Sequence, residues 1–296
     1  MDENIKEKYI KAGKIAGEVR EKSKELVKVN ANIFDIAEKL EKMIRDKGAE
    51  PAFPVNISIN DIAAHYTPIS GDETKINNGD VVKIDVGAHV DGFVGDTACT
   101  IALGEKHQKL VESSEAALAE TIKLCKPGTK LSDISTKIEE TINSFGFNPI
   151  SNLTGHGLAE YDLHAEPQIP NIKFNSDYKL SKDQVIAIEP FATDGSGMVK
   201  ESEPVIIFRL VGGGPVRNHD ARIIMSFADK FRGLPFAERW IPIESRVKIR
   251  IALRELRERG IIYEYPVLKE AKNGFISQAE HTIIVGDEPL VTTKIF

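Results

Sequence analysis

The chain has little cysteine, no long apolar run and no excess of positive charge. Its two cysteines, Cys99 and Cys125, make neither a metal-binding spacing nor a disulfide framework. A reducing compartment is therefore expected, with the cytoplasm as the default. No apolar stretch approaches the ~18 residues that a bilayer requires, so no membrane association is expected. Met1-Asp2-Glu3-Asn4 opens a charged segment, unlike a secretory leader. A net charge of −6 gives no electrostatic footprint for specific nucleic-acid binding. Fixed-period repeats and low-complexity tracts are also missing. What is there is an ordinary enzyme-sized composition, 41% hydrophobic and 28% charged, with 296 residues to bury a large core as one domain or two lobes.

Residues 3–28 and 33–47 read as helices, the second with Asn32 as N-cap and Asp35 in its first turn. "FPVNISIND" (53–61) alternates as a strand. Residues 106–126 and 132–145 read as amphipathic helices, the first stopped by Lys126-Pro127-Gly128. A Gly- and His-rich loop follows at 154–165, then, in 184–193, a buried-looking strand that ends in Glu189-Pro190. Residues 219–264 turn helical, and 275–285 reads as a last strand. Strands interleaved with helices, together with one antiparallel hairpin, imply an α+β fold.

That hairpin carries an anomaly. In "KIDVGAHVDGFVGD" (83–96), Asp91-Gly92 is a two-residue type I′ turn signal, because both positions need positive φ. Val90 then faces Phe93, and Asp85 pairs with Ala98. Asp96 becomes a diagonal neighbour of Asp85, with Cα atoms roughly 7–8 Å apart. Val82, Ile84, Val86 and Ala88 share a core-like face. Lys83, Asp85, Gly87, Asp96, Ala98 and Thr100 share the other, which reads as the floor of a cleft kept open by small residues. Two carboxylates in apolar strands need compensation: a metal, a shared proton or solvent.

Three more ionisable residues stand in similar settings. His156 lies between two glycines in "TGHGL", where the backbone can bend and little bulk shields the ring. Glu189 ends the apolar run of "IAIEP", and Glu280 precedes that of "AEHTIIV". Singly, each reads as a solvated side chain. Together, Asp85, Asp96, His156, Glu189 and Glu280 match in order the five metal ligands of the pita-bread metallopeptidases. The words "NNGDVVKIDVGAHVDGFVGDTA", "LTGHGLAEYDLHAEPQIPN", "AIEPFAT" and "AEHTIIV" resemble those of methionine aminopeptidases. The long interval before Glu280, with "FRGLPFAERW" inside it, resembles the type 2 class, and the short N-terminal region is similar to its archaeal form.

The resemblance implies a pita-bread (creatinase/aminopeptidase-like) fold with a type 2 helical insertion. Residues 1–203 plus 267–296 would form the catalytic domain and 204–266 a mainly helical inserted subdomain. It also implies removal of N-terminal methionine from peptides and nascent proteins when the second residue is small, by a dimetal-bound hydroxide. Asp85 would bind one divalent ion, His156 and Glu189 mainly the other, and Asp96 and Glu280 both. Glu189 would also handle the water proton. Oxygen donors with one imidazole suit Co, Mn, Fe or Zn. His65 resembles the family histidine that contacts the peptide near the scissile bond. His164 resembles the one that binds substrate and stabilises the tetrahedral intermediate. Phe53, Leu163 and Tyr265 match the pocket walls for the flexible thioether side chain.

Two other readings compete: a proline-directed pita-bread peptidase of the prolidase or aminopeptidase P kind, and a non-catalytic binding protein on the same fold. Roughly 50 residues before the first catalytic-lobe strand leave little for the N-terminal domain of the former. The latter would be expected to lose ligands. The arginine-rich stretch 246–259 reads as an amphipathic helix with a solvated basic face. Ribosome proximity would suit an enzyme of nascent chains, and a monomer is expected.

Overall fold

The computed structural model describes residues 1–295. The first helix, Glu3–Leu26, is capped by the Asp2 carboxylate, which accepts from the Asn4 and Ile5 amides. Its buried face is rich in small residues, including Ala12, Gly13, Ala16 and Gly17, so it lies close on the hairpin strands. At Gly95 a Cβ would come within 2.4 Å of the Gly13 backbone. The second helix, Ile33–Asp46, is capped by Asn32 as expected. Both helices cover the apolar hairpin face of Val82, Ile84, Val86 and Ala88.

The hairpin, Val81–Val90 with Phe93–Ala102, has the anticipated register. Val90 pairs with Phe93 and Asp85 with Ala98, while Asp96 stands opposite Gly87. Asp91 and Gly92 have φ of 51° and 88°, the positive values a type I′ turn needs. The second face differs from an open cleft floor. Only Asp85 and Asp96 border a cavity. Thr100 is buried and donates to the Gln278 carbonyl at 2.6 Å. Lys83 is fully buried, its ammonium donating to the Asn60 and Ile276 carbonyls, both at 3.0 Å. Strand Ile276–Gln278 closes over this half of the hairpin.

A five-stranded sheet faces the hairpin, in the order Leu290–Val291, His281–Ile284, Val185–Ile188, Thr154–Ala159, Asp162–Pro170. The stretch expected as a loop at 154–165 is therefore a second hairpin. Its glycines serve strand packing, not bending. A Cβ on Gly155 would meet the Ala187 carbonyl oxygen at 2.5 Å, and one on Gly157 the Glu166 carbonyl oxygen at 2.2 Å. Helices Gln108–Ile122 and Leu131–Ser144 pack behind this sheet on Ile186, Ile188 and Ile283.

The first late strand ends at Glu189-Pro190 as expected and resumes beyond it, while the second, anticipated as one strand, is broken in two. Val185–Ile188 gives way to Phe191–Thr193 at Glu189-Pro190, where proline has no N–H for a ladder. Ile276–Gln278 gives way to His281–Ile284 at Ala279-Glu280. The first halves and second halves pair with each other, Ile188 with His281 and Phe191 with Gln278. Both chains thus switch sheets at one level, and Glu189 and Glu280 sit side by side at the switch.

A separate sheet pairs Val199–Leu210 with Ile262–Glu270, flanked by Phe236–Ala237 and Ile62–Ala64. Residues 204 and 266 lie inside this long strand pair, and the helices His219–Ala228 and Arg246–Glu258 emerge beyond it around a core of their own. On Arg246–Glu258, Ile249, Ala252, Leu253 and Leu256 are buried, while Val247 and Ile251 are exposed. Apolar residues at every second position cannot all share one helix face. Its basic side chains are mostly ion-paired rather than simply solvated: Arg246 and Arg250 with buried Glu238, Arg254 with Glu258, Arg257 with Glu264 and Arg259 with Glu255. No helix among the described residues is long and apolar enough to cross a membrane.

Candidate metal centre and substrate cavity

A cavity of about 210 Å³ opens between the two hairpins, the sheet switch and the long strand pair. All ten residues singled out in the sequence border it: Phe53, His65, Asp85, Asp96, His156, Leu163, His164, Glu189, Tyr265 and Glu280. Asp85 and Asp96 come from the first hairpin, His156, Leu163 and His164 from the second. Glu189 and Glu280 come from the two strand breaks, where a side chain can leave the pleat.

The inner end is a cluster of donors. His156 Nε2 lies 3.6 Å from Glu189 Oε1 and 3.9 Å from Asp96 Oδ2. Asp96, His156 and Glu280 each offer an atom within 4.8 Å of the others. Asp85 and Glu189 are linked through Gln278, whose Nε2 stands 3.5 Å from Asp85 Oδ2 and 3.4 Å from Glu189 Oε2. Asp85 Oδ1, Asp96 Oδ1 and Glu280 Oε2 are buried with no hydrogen-bond partner in the protein.

The electrostatics follow. Burial pushes the Asp85 carboxyl up to about 7. Burial, then repulsion by neighbouring carboxylates, holds Asp96, Glu189 and Glu280 well above the usual carboxylate range. Four crowded carboxylates with orphaned oxygens are stable as anions only beside cationic charge. His156 is pushed down to about 4 by burial, which leaves it a neutral imidazole able to offer a lone pair. The donor set therefore fits hard or borderline divalent ions, and these five residues could hold them.

The remaining histidines are set differently. His65 has φ of 64° and its Nδ1 lies 3.1 Å from the Pro266 carbonyl oxygen. That contact assigns the proton to Nδ1. The His65 ring meets Tyr265 edge-on at 5.3 Å, and His164 lies 6.0 Å from Tyr265 and 4.8 Å from His156. His164 is an exposed residue that borders the cavity, yet the atoms crowded around its ring, and then the nearby charges, hold its pKa well below the usual imidazole value. Phe53 is both wall and core: it packs with Leu163 and Ala187, and its ring covers Gly87, where a Cβ would come within 2.2 Å of it.

Sequence reading missed the supports. Arg20, buried in the first helix, donates through Nη1 to Thr97 Oγ1 at 2.6 Å and lies 3.1 Å from His281 Nδ1. Thr97 in turn donates to the Glu280 carbonyl at 2.8 Å. The amide of Asp96 and the hydroxyl of Thr282 complete the tie at 2.7 Å. One guanidinium thus holds the side chains of the residues that follow Asp96 and Glu280. The signal available was His281 itself, a histidine beside a ligand candidate and without a role. Gln278 left only its position two residues before Glu280.

The layers, the two hairpins and the paired strand breaks define the pita-bread fold. The sequence model of metallopeptidase family M24 matches residues 7–223, and the chain belongs to this family. It is 45% identical to a methionine aminopeptidase of Pyrococcus abyssi, over 97% of this chain and 99% of that protein. Among solved structures, it superposes on a thermophilic Arx1 with a TM-score of 0.86 at 19% identity, over 99% of this chain and 91% of that one. It superposes on a methionine aminopeptidase of Thermotoga maritima with a TM-score of 0.74 at 24% identity, over 100% and 98%.

Proposed function

We propose that the chain is a metal-dependent aminopeptidase that removes N-terminal methionine from peptides and nascent proteins whose second residue is small. The observation that carries this reading is the cavity. A buried carboxylate–imidazole cluster occupies its inner end, and Phe53, Leu163 and Tyr265 stand beside it as an apolar slot. The 45% identical relative bears the name of that activity, which favours this reading over a proline-directed one. The undiminished donor set favours it over a non-catalytic protein of the same fold.

Asp85 and Asp96, His156, Glu189 and Glu280 would hold two divalent ions, of Co, Mn, Fe or Zn. When bound, such ions polarise a carbonyl and lower the pKa of water toward neutrality. The chain's own groups do the rest. Phe53, Leu163 and Tyr265 take the thioether side chain, which packs well against ring edges. His65, with its proton on Nδ1, turns Nε2 toward the peptide near the scissile bond. His164 donates to the oxygen that gains charge in the tetrahedral intermediate. Glu189, at the sheet switch beside the donor cluster, takes the proton of the attacking water and passes it to the leaving amine. The second residue must pass between His65, His164 and the donor cluster, so a small side chain is selected.

The helical segment between the long strands supports a type 2, archaeal-like assignment, with 204–266 as the inserted subdomain and 1–203 plus 267–296 as the catalytic domain. The protein would act in the cytoplasm as a monomer, near ribosomes, without specific nucleic-acid binding. The test is a titration of metal-free protein with each divalent ion, read as turnover of Met-Ala-X and X-Pro-X peptides. Cleavage of Met-Ala-X alone is expected. Zero turnover with every ion overturns the reading, and preference for X-Pro-X replaces it with the proline-directed one.

A further inference from the structure

Arg209 is unused by the reaction just described. It lies in strand Val199–Leu210, two residues beyond Ile207, which borders the cavity. Ile207 pairs with Tyr265 and Arg209 with Tyr263, so strand alternation puts Arg209 on the cavity side, one step nearer the surface. There the guanidinium stands 5.7 Å over the ring of Tyr263, which is 50% exposed. Its charge helps to depress His164 and to oppose the rise at Tyr265. Arg209 Nε is nevertheless buried and without a hydrogen-bond partner. No ion pair joins Arg209 to an acid among the described residues. Asp162 acts on His156 and Tyr265, and Glu264 is turned to Arg257 at 3.8 Å.

A guanidinium whose Nε lacks a hydrogen-bond partner, two residues along the strand from the cavity wall, is poised for an acceptor that arrives with the substrate. The distance decides which one. Two residues along a strand span about 7 Å, so Arg209 stands about two extended residues outward of the Ile207 level, where Tyr265 walls the slot for the first residue. That is the third residue of a substrate whose first is methionine. We propose that Arg209 binds a carboxylate at the third substrate position, either an acidic side chain or the C-terminal carboxylate of a tripeptide. The proposal rests on the aminopeptidase reading and adds a charge preference to it.

Four peptides test it with the metal-loaded enzyme: Met-Ala-Ser as free acid and as amide, and Met-Ala-Asp-amide against Met-Ala-Asn-amide. The wild type should show a KM lower by about 3–10-fold for the anionic member of a pair, as expected for one partly exposed charge-assisted contact, and high salt should shrink the difference. Preference in the first pair identifies the terminal carboxylate as ligand, and in the second the side chain. Either supports the proposal. Arg209→Gln should remove the difference within each pair, and Arg209→Lys should keep part of it. Thermal unfolding of both variants reports whether they fold. If the glutamine variant does not, the wild-type comparison and the lysine variant decide the matter. Turnover without a charge preference overturns the proposal alone. So does a preference that survives Arg209→Gln, or a KM raised equally for all four peptides, which would make Arg209 a support for Tyr263. No turnover of any peptide by the wild type overturns the aminopeptidase reading and the proposal with it.

Discussion

Asp96 and His164 stand close together at the inner cavity, with different expected failures. Asp96 lies within reach of His156 and Glu280 and has an oxygen with no other partner. Asp96→Asn should abolish turnover of Met-Ala peptides and lower the metal content, because a neutral amide cannot balance two cations. Metal analysis beside activity checks this, and full turnover with two ions bound would refute the role. His164→Ala should keep its metals and lose about 10²–10³-fold in kcat, the usual cost of one transition-state donor. Metal loss in that variant would mean that the roles of His156 and His164 had been exchanged. At this scale the sequence was legible. The five donor candidates stood out as a set, in their order along the chain and in the words around them, since each alone reads as a solvated side chain. Arg20 did not, because an arginine in an amphipathic helix looks the same whether it points at water or into the core. Arg20→Met should cost about 1–3 kcal/mol through unpaired buried partners, and it should weaken metal binding. Denaturant unfolding and metal titration measure the two effects.

The elements were legible where local chemistry decides them. Asn32 as a cap and Asp91-Gly92 as a type I′ turn are determined within four residues of sequence, and both stand as expected. The last strand was not. "FISQAEHTIIV" read as one strand, because periodicity reports the pleat and not the partner. The proline after Glu189 was a visible break, but the matching break at Ala279-Glu280 follows from pairing with it. "TGHGL" was misread for a related reason. Glycine is ambiguous between a turn and a close approach, and only the neighbouring strands decide. Gly157→Ala should therefore be destabilising, by about 1–3 kcal/mol for an overpacked site, because its Cβ would press on the Glu166 carbonyl. An unchanged unfolding midpoint would show that the strand can shift.

For the whole molecule, charge and metal couple to stability. The carboxyls of Asp85, Asp96, Glu189 and Glu280 titrate higher in the metal-free fold than in the unfolded chain. Their contribution is complete below the unfolded value, near 4, and fades as pH rises, through about 7 for Asp85 and through the raised values of the other three. His156 has the opposite sign. Its folded value near 4 lies below the unfolded one, so its contribution is present above about 6.5 and is lost as pH falls toward 4. The metal-free protein should lose stability both on acidification below about pH 5 and on raising pH toward 8. Divalent ions should restore the alkaline side, with a larger gain in Tm near pH 8 than near pH 6, since ligands bind metal deprotonated. Calorimetry with and without chelator checks this, and an equal gain at both pH values would argue that the carboxylates are already ionised without metal.

The sequence by itself determined the hairpin that brings Asp85 and Asp96 together, and it offered oxygen donors with one imidazole as the candidate set. These follow from residue type and from contacts between neighbours in the chain. Only the tertiary structure decided what surrounds them. It closed Ile276–Gln278 over Lys83 and Thr100, moved Glu189 and Glu280 to one switch between sheets, ran Arg20 behind the cluster and left Arg209 at its mouth. Those relations join residues dozens to hundreds of positions apart, and no local preference encodes them. They are set by which apolar faces must be covered, and by which buried charges can find partners once those faces are covered.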